Sequence, residues 1–397
     1  MTLPLEGLRI VDLTAVVSGP MATQMLADQG ADVVKIEPLP AGELNRLLGT
    51  RRGPVTSLYE TINKGKRSVG LDLKDERGRE ILAQLIEGAD ALVENFRPGA
   101  LERLGFSEAR LRELQPELVF ASITGFGPDG PYSGLRVYDA IVQAVSGMAA
   151  IQGNPETDVP ELVRNLACDK ITSLTAAQAI TAALLHKVRT GRGSRVELSM
   201  LDASIAFLFP DGFNNEMFLG DEELGDAEMT PRLDTYRPYA TSDGSVTLMI
   251  VSDKDWAATC RAVGREELIE HPLFLDARLR RQNPGELRAA MEEALAPLPT
   301  DHVVHRMEEE GAPCARVNSR DQVLDDPQVR HSGILHVHRH PHAGRMIAAR
   351  GPAIFDGERQ VPETPAPLFG EHTDEVLEEL GLNSSSRAAL RQSGVIA

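Results

Sequence analysis

Along this chain the apolar residues switch repeatedly between short continuous runs and a spacing of three to four, the alternation that strands followed by helices produce. Leu8 to Leu13 is a run of strand type. Ser18-Gly19-Pro20 then opens a helix, MATQMLADQ, with Met21, Ala22, Met25 and Leu26 on one face, Ser18 placed to cap it and Pro20 in its first turn. Gly30 closes that helix, and Asp32 to Ile36 is the next strand. Such a β-α-β unit crosses over right-handed and implies a parallel sheet. The pattern recurs: a strand follows Lys64, Lys66 and Arg67, a helix buries Ile81, Leu82, Leu85 and Ile86 and stops at Gly88, and Ala91 to Phe96 is a strand. A helix from Ser107 to Gln115 and a strand from Leu118 to Ile123 complete the series, followed by the loop GFGPDGPYSG and an apolar helix from Ala140 to Ala150.

The stretch from Arg164 to Ala203 is the pivot of the chain. Leu174, Ala177, Ile180, Leu184, Leu185 and Val188 recur at helical spacing, Gly191 and Gly193 end the helix, and Arg195 to Ser199 alternates like a strand feeding a helix at Asp202. Asp169 sits at the mouth of this helix. Its simplest reading is an N-cap, worth about 1 kcal/mol. The alternative is functional: helix N–H groups and the helix dipole keep the carboxylate ionised, and an ionised carboxylate is a possible covalent nucleophile.

Beyond about residue 205 the character changes. An acidic irregular stretch is followed by a hairpin from Thr235 to Ile250 and helical patterns at Trp256 to Val263, Glu286 to Leu295 and Val303 to Glu309. This divides the chain into a large domain over 1–205, a linker over 206–224, a small α/β domain over 225–330 and a return segment over 331–397. At 397 residues two domains are the default for a soluble globular composition.

A net charge of −18 and few aromatic residues argue against nucleic-acid binding, so any anionic ligand must be held by local basic clusters. Arg97, in the loop Asn95-Phe96-Arg97-Pro98-Gly99 after a strand, is such a cation at the edge where open α/β sheets gather ligands. The GxGxxG fingerprint is missing after the first strand, so a dinucleotide cofactor is not expected. Cys168, Cys260 and Cys314 lack CxxC spacing and point to a reduced, cytoplasmic setting. The N-terminus lacks the features of a signal peptide, and no run of about 18 apolar residues predicts a membrane span. His336, His338 and His340 alternate onto one strand face; with no carboxylate or cysteine at ligand spacing, the reading is a solvated face and no metal.

Several stretches together resemble the class III coenzyme A transferases (CaiB/BaiF), the family of formyl-CoA and carnitine-CoA transferases. They are LEGLRIVDLTAVVSGPMATQMLADQGADVVKIEP, NKGKRSVGLDLK, LVENFRPGALERLGF, RTGRGSRVELSMLDA and APLFGEHTDEVLEELG, in the family's order over most of the chain. The resemblance implies a Rossmann-like α/β large domain with a parallel sheet, built from both ends of the chain, plus a smaller inserted α/β domain, in an interlocked homodimer. It implies that Asp169 is the nucleophile, that an acyl-CoA and a carboxylic acid are the substrates, and that no separate cofactor is needed. CoA contacts would fall to Val16 and Val17, to Leu71, Asp72, Leu73 and Lys74, to Asn95, Phe96 and Arg97, to Arg103, and to Arg136, Val137, Tyr138 and Asp139. Val17 stands where formyl-CoA transferases often carry glutamine, and Pro38 where they carry a CoA-binding arginine; DAEMTPRLDTYRP lacks their glycine-rich loop. A second branch of the family, the 2-methylacyl-CoA racemases, needs an acid/base group on each face of the α-carbon. Tyr138 stands where that branch has histidine, and a phenol titrating near about 10 favours transfer over racemisation. In the non-enzymatic alternative, a CoA-binding subunit, Asp169 is only a cap.

Overall fold

The computed structural model describes residues 3–154, 157, 159–220, 236–359 and 364–397. They form two compact units, residues 1–212 with 333–397 and residues 213–332. The first is built on six parallel strands: β1 (Arg9–Asp12), β2 (Asp32–Glu37), β3 (Arg67–Gly70), β4 (Ala91–Glu94), β5 (Val119–Thr124) and β6 (Arg195–Ser199). Their spatial order is β3-β2-β1-β4-β5-β6, and each neighbouring pair is parallel. This is the Rossmann order, with its topological switch between β1 and β4. All six carboxyl ends lie along one edge, and the loops beginning at Leu13, Leu71 and Asn95 start there.

Helices cover both faces. On one, α1 (Ser18–Asp28) and a long helix, α7 (Ala167–Thr190), enclose Ile10, Leu26, Val33, Val93, Ile123, Ile180 and Leu184. On the other, α3 (Glu76–Glu87) and the chain's last residues enclose Val11, Val34, Leu82, Leu92, Phe120, Leu377 and Ile396. The C-terminal segment belongs to this layer: Asp72 N–H donates to Val395 O at 2.9 Å and Ala397 N–H to Gly70 O at 3.1 Å. In the second unit Tyr239–Ala240, Ser245–Leu248 and Cys314–Arg316 make a small antiparallel sheet, and Trp256 stacks edge-on against Phe274 at 5.6 Å. The hairpin's first residue, Thr235, and most of the glycine-poor stretch before it lie outside the described residues.

Several expectations need correcting. Helix α8 (Met200–Gly212) carries the first unit past residue 205, and the cap at its start is Ser199, whose Oγ accepts Asp202 N–H at 2.9 Å. The helix expected over 140–150 is two, α5 (Asp139–Val145) and α6 (Met148–Ile151), because Gly147 turns left-handed at φ +87°. Helix α7 buries Ser173, Ala176, Ala177, Ile180, Ala183 and Leu184, leaving Leu174, Leu185 and Val188 exposed. Small side chains let α1 and α7 approach closely, and this decides the buried face. The histidine strand Leu335–His340 is also reversed: Val337 and Arg339 face out, while His340 is buried opposite Glu60. His340 Nδ1 accepts the N–H groups of His342 and Ala343 at 3.0 and 3.2 Å. Among the described residues no group of three or more His, Cys, Asp or Glu side chains is placed to hold a metal.

Beneath the switch point lies a buried ionic network. Asp12, in register with Lys35 of β2, receives Lys66 Nζ at 2.9 Å; Lys35 Nζ lies 3.5 Å from Glu43 and donates to Thr14 O at 2.8 Å. Glu37 holds Arg46 at 2.6 Å, and its carboxylate accepts the Tyr59 hydroxyl at 3.0 Å. Three carboxylates thus balance three cations away from water. Burial works against the charge on Asp12, but Lys35, Lys66 and the Thr14 hydroxyl outweigh it and hold its carboxyl well below the ordinary range. Burial takes the Lys66 ammonium down to about 8, partly offset by Asp12. Removing one partner of such a pair strands a buried charge. Asp12→Asn or Lys66→Met is expected to lose about 3–5 kcal/mol in urea unfolding, and the double variant distinctly less than the sum; additive losses would show the pair to be uncoupled.

Candidate active site

The segment leaving β1 makes a turn that its own residues do not favour. Val16 has φ +67°, a left-handed conformation that disfavours a β-branched side chain and costs about 1–3 kcal/mol. Its neighbours hold it there. Asn95, at the carboxyl end of β4, accepts Ala15 N–H and donates to Ala15 O, both at 2.8 Å. Glu43 accepts Val16 N–H at 2.8 Å, and Asn45 Nδ2 donates to Val16 O. Lys35, already bonded to Thr14 O, ties the turn to the ionic network. The next residues begin α1, and Gly19 is required there: a Cβ on it would lie 2.4 Å from that of Thr14.

Asp169 stands opposite the start of α1. It lies in the first turn of α7, whose N-cap position is Leu166, so it caps nothing in its own helix. Its N–H instead donates to Asp139 Oδ1 at 3.0 Å, and the Ser18 amide faces its carboxylate and lowers its pKa. Ser18, expected to cap α1, is inside that helix and makes no side-chain cap. Ser173 Oγ joins the two helices, donating to Ser18 O at 2.8 Å. Asp169 is 7% exposed and Asp139 5%. Burial first, then the Asp139 carboxylate, push the Asp169 carboxyl up to about 6 against the lowering effect of Ser18 N–H. The helix ends therefore do not hold it in the ordinary carboxylate range, although a carboxyl near 6 is still mostly ionised at neutral pH.

The other residues singled out above divide by exposure. Val16 and Val17 form the strained turn, and Asn95 spends its amide on holding it. The Leu71 side chain is in the core and Leu73 and Phe96 pack against it, while Asp72 accepts Lys74 N–H at 2.9 Å. Val137 sits over Gly125, where a Cβ would lie 2.2 Å from it. Tyr138 is exposed. Lys74, Arg97, Arg103 and Arg136 are exposed, and none has an ion-pair partner among the described residues. Sequence reasoning missed Lys35, Glu43, Asn45, Lys66 and Gln143. For Lys35 a signal existed, since a lysine inside DVVKIE interrupts a strand that should be apolar on both faces.

A buried carboxylate at the start of a helix thus stands beside a strained turn at a Rossmann switch point, where open α/β sheets gather ligands. The model of CoA-transferase family III matches residues 5–373, and the chain belongs to that family. It is an enzyme of the class III CoA-transferases. The formyl-CoA:oxalate CoA-transferase of Escherichia coli O6:H1 is 32% identical over 420 aligned positions, covering all of both chains. Rv3272 from Mycobacterium tuberculosis superposes with a TM-score of 0.82 at 30% identity, covering 94% of this chain and 99% of that one. A CAIB/BAIF family protein from Brucella suis does so at 0.82 and 28%, covering 96% and 100%.

The clamp is separable from the strain it maintains. Asn95→Ala strips both hydrogen bonds from Ala15 and is expected to lose about 2–3 kcal/mol in urea unfolding. Val16→Gly, which relieves the left-handed strain, should leave stability within about 1 kcal/mol of the parent while weakening CoA binding measured by calorimetry. A large loss of stability in Val16→Gly would show that the turn is not strained.

Proposed function

We propose that the chain moves coenzyme A from an acyl-CoA donor to a carboxylic acid through covalent catalysis by Asp169. The observation that supports this most is the Asp169 carboxylate itself, buried yet facing the Ser18 amide at the start of α1. Attack of its oxygen on the thioester carbonyl forms a mixed anhydride and expels CoA thiolate. The thiolate then attacks the aspartyl carbonyl, releasing the donor acid as a carboxylate and leaving an aspartyl-CoA thioester. The acceptor carboxylate displaces the thiolate from that thioester to give a second anhydride. Thiolate attack on the acceptor's carbonyl forms the new acyl-CoA and regenerates the Asp169 carboxylate. Each step makes one acyl bond and breaks one, and no oxidant or external nucleophile is consumed. Backbone amides around Val17 are suited to meet the developing oxyanion, because a turn clamped in advance need not reorganise.

Lys74, Arg97, Arg103 and Arg136 supply exposed positive charge for the phosphates of CoA, in a chain whose net charge of −18 otherwise repels them. CoA enters as substrate, with no further cofactor in the scheme. The exposed Leu174, Leu185 and Val188 of α7 and Phe207 and Phe209 of α8 support pairing of two copies as a homodimer. No helix among the described residues is long and apolar enough to cross a membrane.

Incubation with a panel of acyl-CoA donors headed by formyl-CoA, with oxalate among the acceptors, followed by hydroxylamine, should leave a hydroxamate on the Asp169 peptide in mass spectrometry. Asp169→Ala should show none and lose about 10³-fold or more in turnover. Absence of the adduct with every donor, alongside measurable turnover, would overturn covalent transfer.

The raised carboxyl also affects stability. A carboxylate whose folded pKa lies above its unfolded value contributes stability that is present below about 4 and lost as pH rises through about 6. Asp169→Asn should therefore stabilise the fold by about 1–3 kcal/mol at pH 8 in urea unfolding, with the gain shrinking as the pH is lowered toward about 4.5. An equal gain at both pH values would show that ionised Asp169 is not the source.

A further inference from the structure

Asp139 joins α5 to the start of α7. Its Oδ1 accepts the N–H of Asp169 at 3.0 Å, and its Oδ2 accepts Gln143 Nε2 at 2.6 Å, one turn further along α5. Gln143 in turn grips the residues that lead into α7: its Nε2 lies 3.2 Å from both Val163 O and Asn165 O, and its Oε1 accepts Val163 N–H at 2.8 Å. Asp139 and Gln143 are both buried. The position of Asp169 along the opening of the site is thereby set from α5.

We propose that Asp139 is a positioning residue for the Asp169 nucleophile, holding the first turn of α7 by a hydrogen bond and placing a second negative charge beside the reacting carboxylate. The role rests on the covalent reading of Asp169. A like charge at close range disfavours ionisation and makes the carboxylate more basic, and a more basic carboxylate is a better nucleophile once ionised. Of the groups around Asp169, Asp139 is the carboxyl that the fold places beside it. Helix α1 presents the Ser18 amide, and the other residues of its first turn, Gly19 and Pro20, carry no ionisable group. On α7 the Cys168 thiol is buried and pushed up, first by burial and then by Asp139 and Asp169, so it stays neutral, while Lys170 is exposed. On α8 Asp202 is exposed, and on the approach to α7 so is Arg164.

The test is the pH profile of kcat/KM for one competent acyl-CoA donor in the parent, Asp139→Asn, Asp139→Glu and Gln143→Ala proteins, with hydroxylamine trapping at Asp169 in each. The parent should lose activity as pH falls through about 6. Asp139→Asn keeps an oxygen for the Asp169 N–H but drops the charge, so its acid limb should move down by about one pH unit toward the ordinary carboxylate range, with turnover above pH 7 lowered about tenfold. Asp139→Glu should bring the limb back toward about 6, and Gln143→Ala should lower turnover with the limb in place. Donor phosphates titrate alike in all four proteins, so only the displacement between proteins is read. A limb that stays put in Asp139→Asn while the Asp169 hydroxamate still forms overturns the role of Asp139 and leaves covalent transfer standing. Absence of the hydroxamate in the parent overturns the covalent reading on which the role rests.

Discussion

The turn from Ala15 to Val17 is the constraint on which the site depends. A valine at φ +67° does not stay there through its own preferences, and five side chains from outside the turn take part in holding or anchoring it: Asn95 from the neighbouring strand, Glu43 and Asn45 from the connection after β2, Lys35 from β2 itself and, behind them, Asp12 at the end of β1. Buried charges in such numbers are a poor way to gain stability, because each has been taken out of water. Here their effect is geometric. Paired lysines and carboxylates fix the end of β1 relative to β2, and the strained turn then carries the first N–H groups of α1 to a set position.

The Asp169 carboxylate illustrates the opposite use of burial. In the ionic network, partners compensate for lost solvent, and Asp12 is charged despite being wholly buried. At Asp169 compensation is partial: one backbone N–H and a helix end stand against burial and a neighbouring carboxylate, and the balance leaves its carboxyl near 6. A group in that state destabilises the fold when ionised. The Ser18 amide at the start of α1 partly offsets that cost, so the carboxylate and the first turn of α1 influence one another.

Much of the fold was legible in the residues. Strands that parallel sheets bury on both faces read as apolar runs, and Ile10, Val34, Leu92 and Val119 all lie in the core. The stripe of Ile81, Leu82, Leu85 and Ile86 and the stop at Gly88 stand where the periodicity places them. Helix α7 was harder. Leu174, Leu185 and Val188 satisfy the helical spacing as well as Ile180 and Leu184 do, and periodicity does not say which apolar face meets the sheet. The strand holding His336 to His340 failed in the reverse sense, since polarity suggested an outward face and His340 is buried against Glu60 and the backbone of the following turn.

What the sequence determined by itself is the chemistry available and the order of the elements: a βα alternation yielding a parallel sheet, an aspartate at the start of a long helix, and motifs that resemble one family over most of the chain. These are local properties, carried by side-chain type and spacing. Only the tertiary structure decided that Asp169 faces the start of a different helix from its own, that Asp139, thirty residues earlier, holds its N–H, and that Val16 is held in a left-handed turn by Asn95, Glu43 and Asn45. The physical reason is that strain, burial and the charge state of a carboxyl are set by neighbours in space, and at this site those neighbours come from segments far apart in the chain.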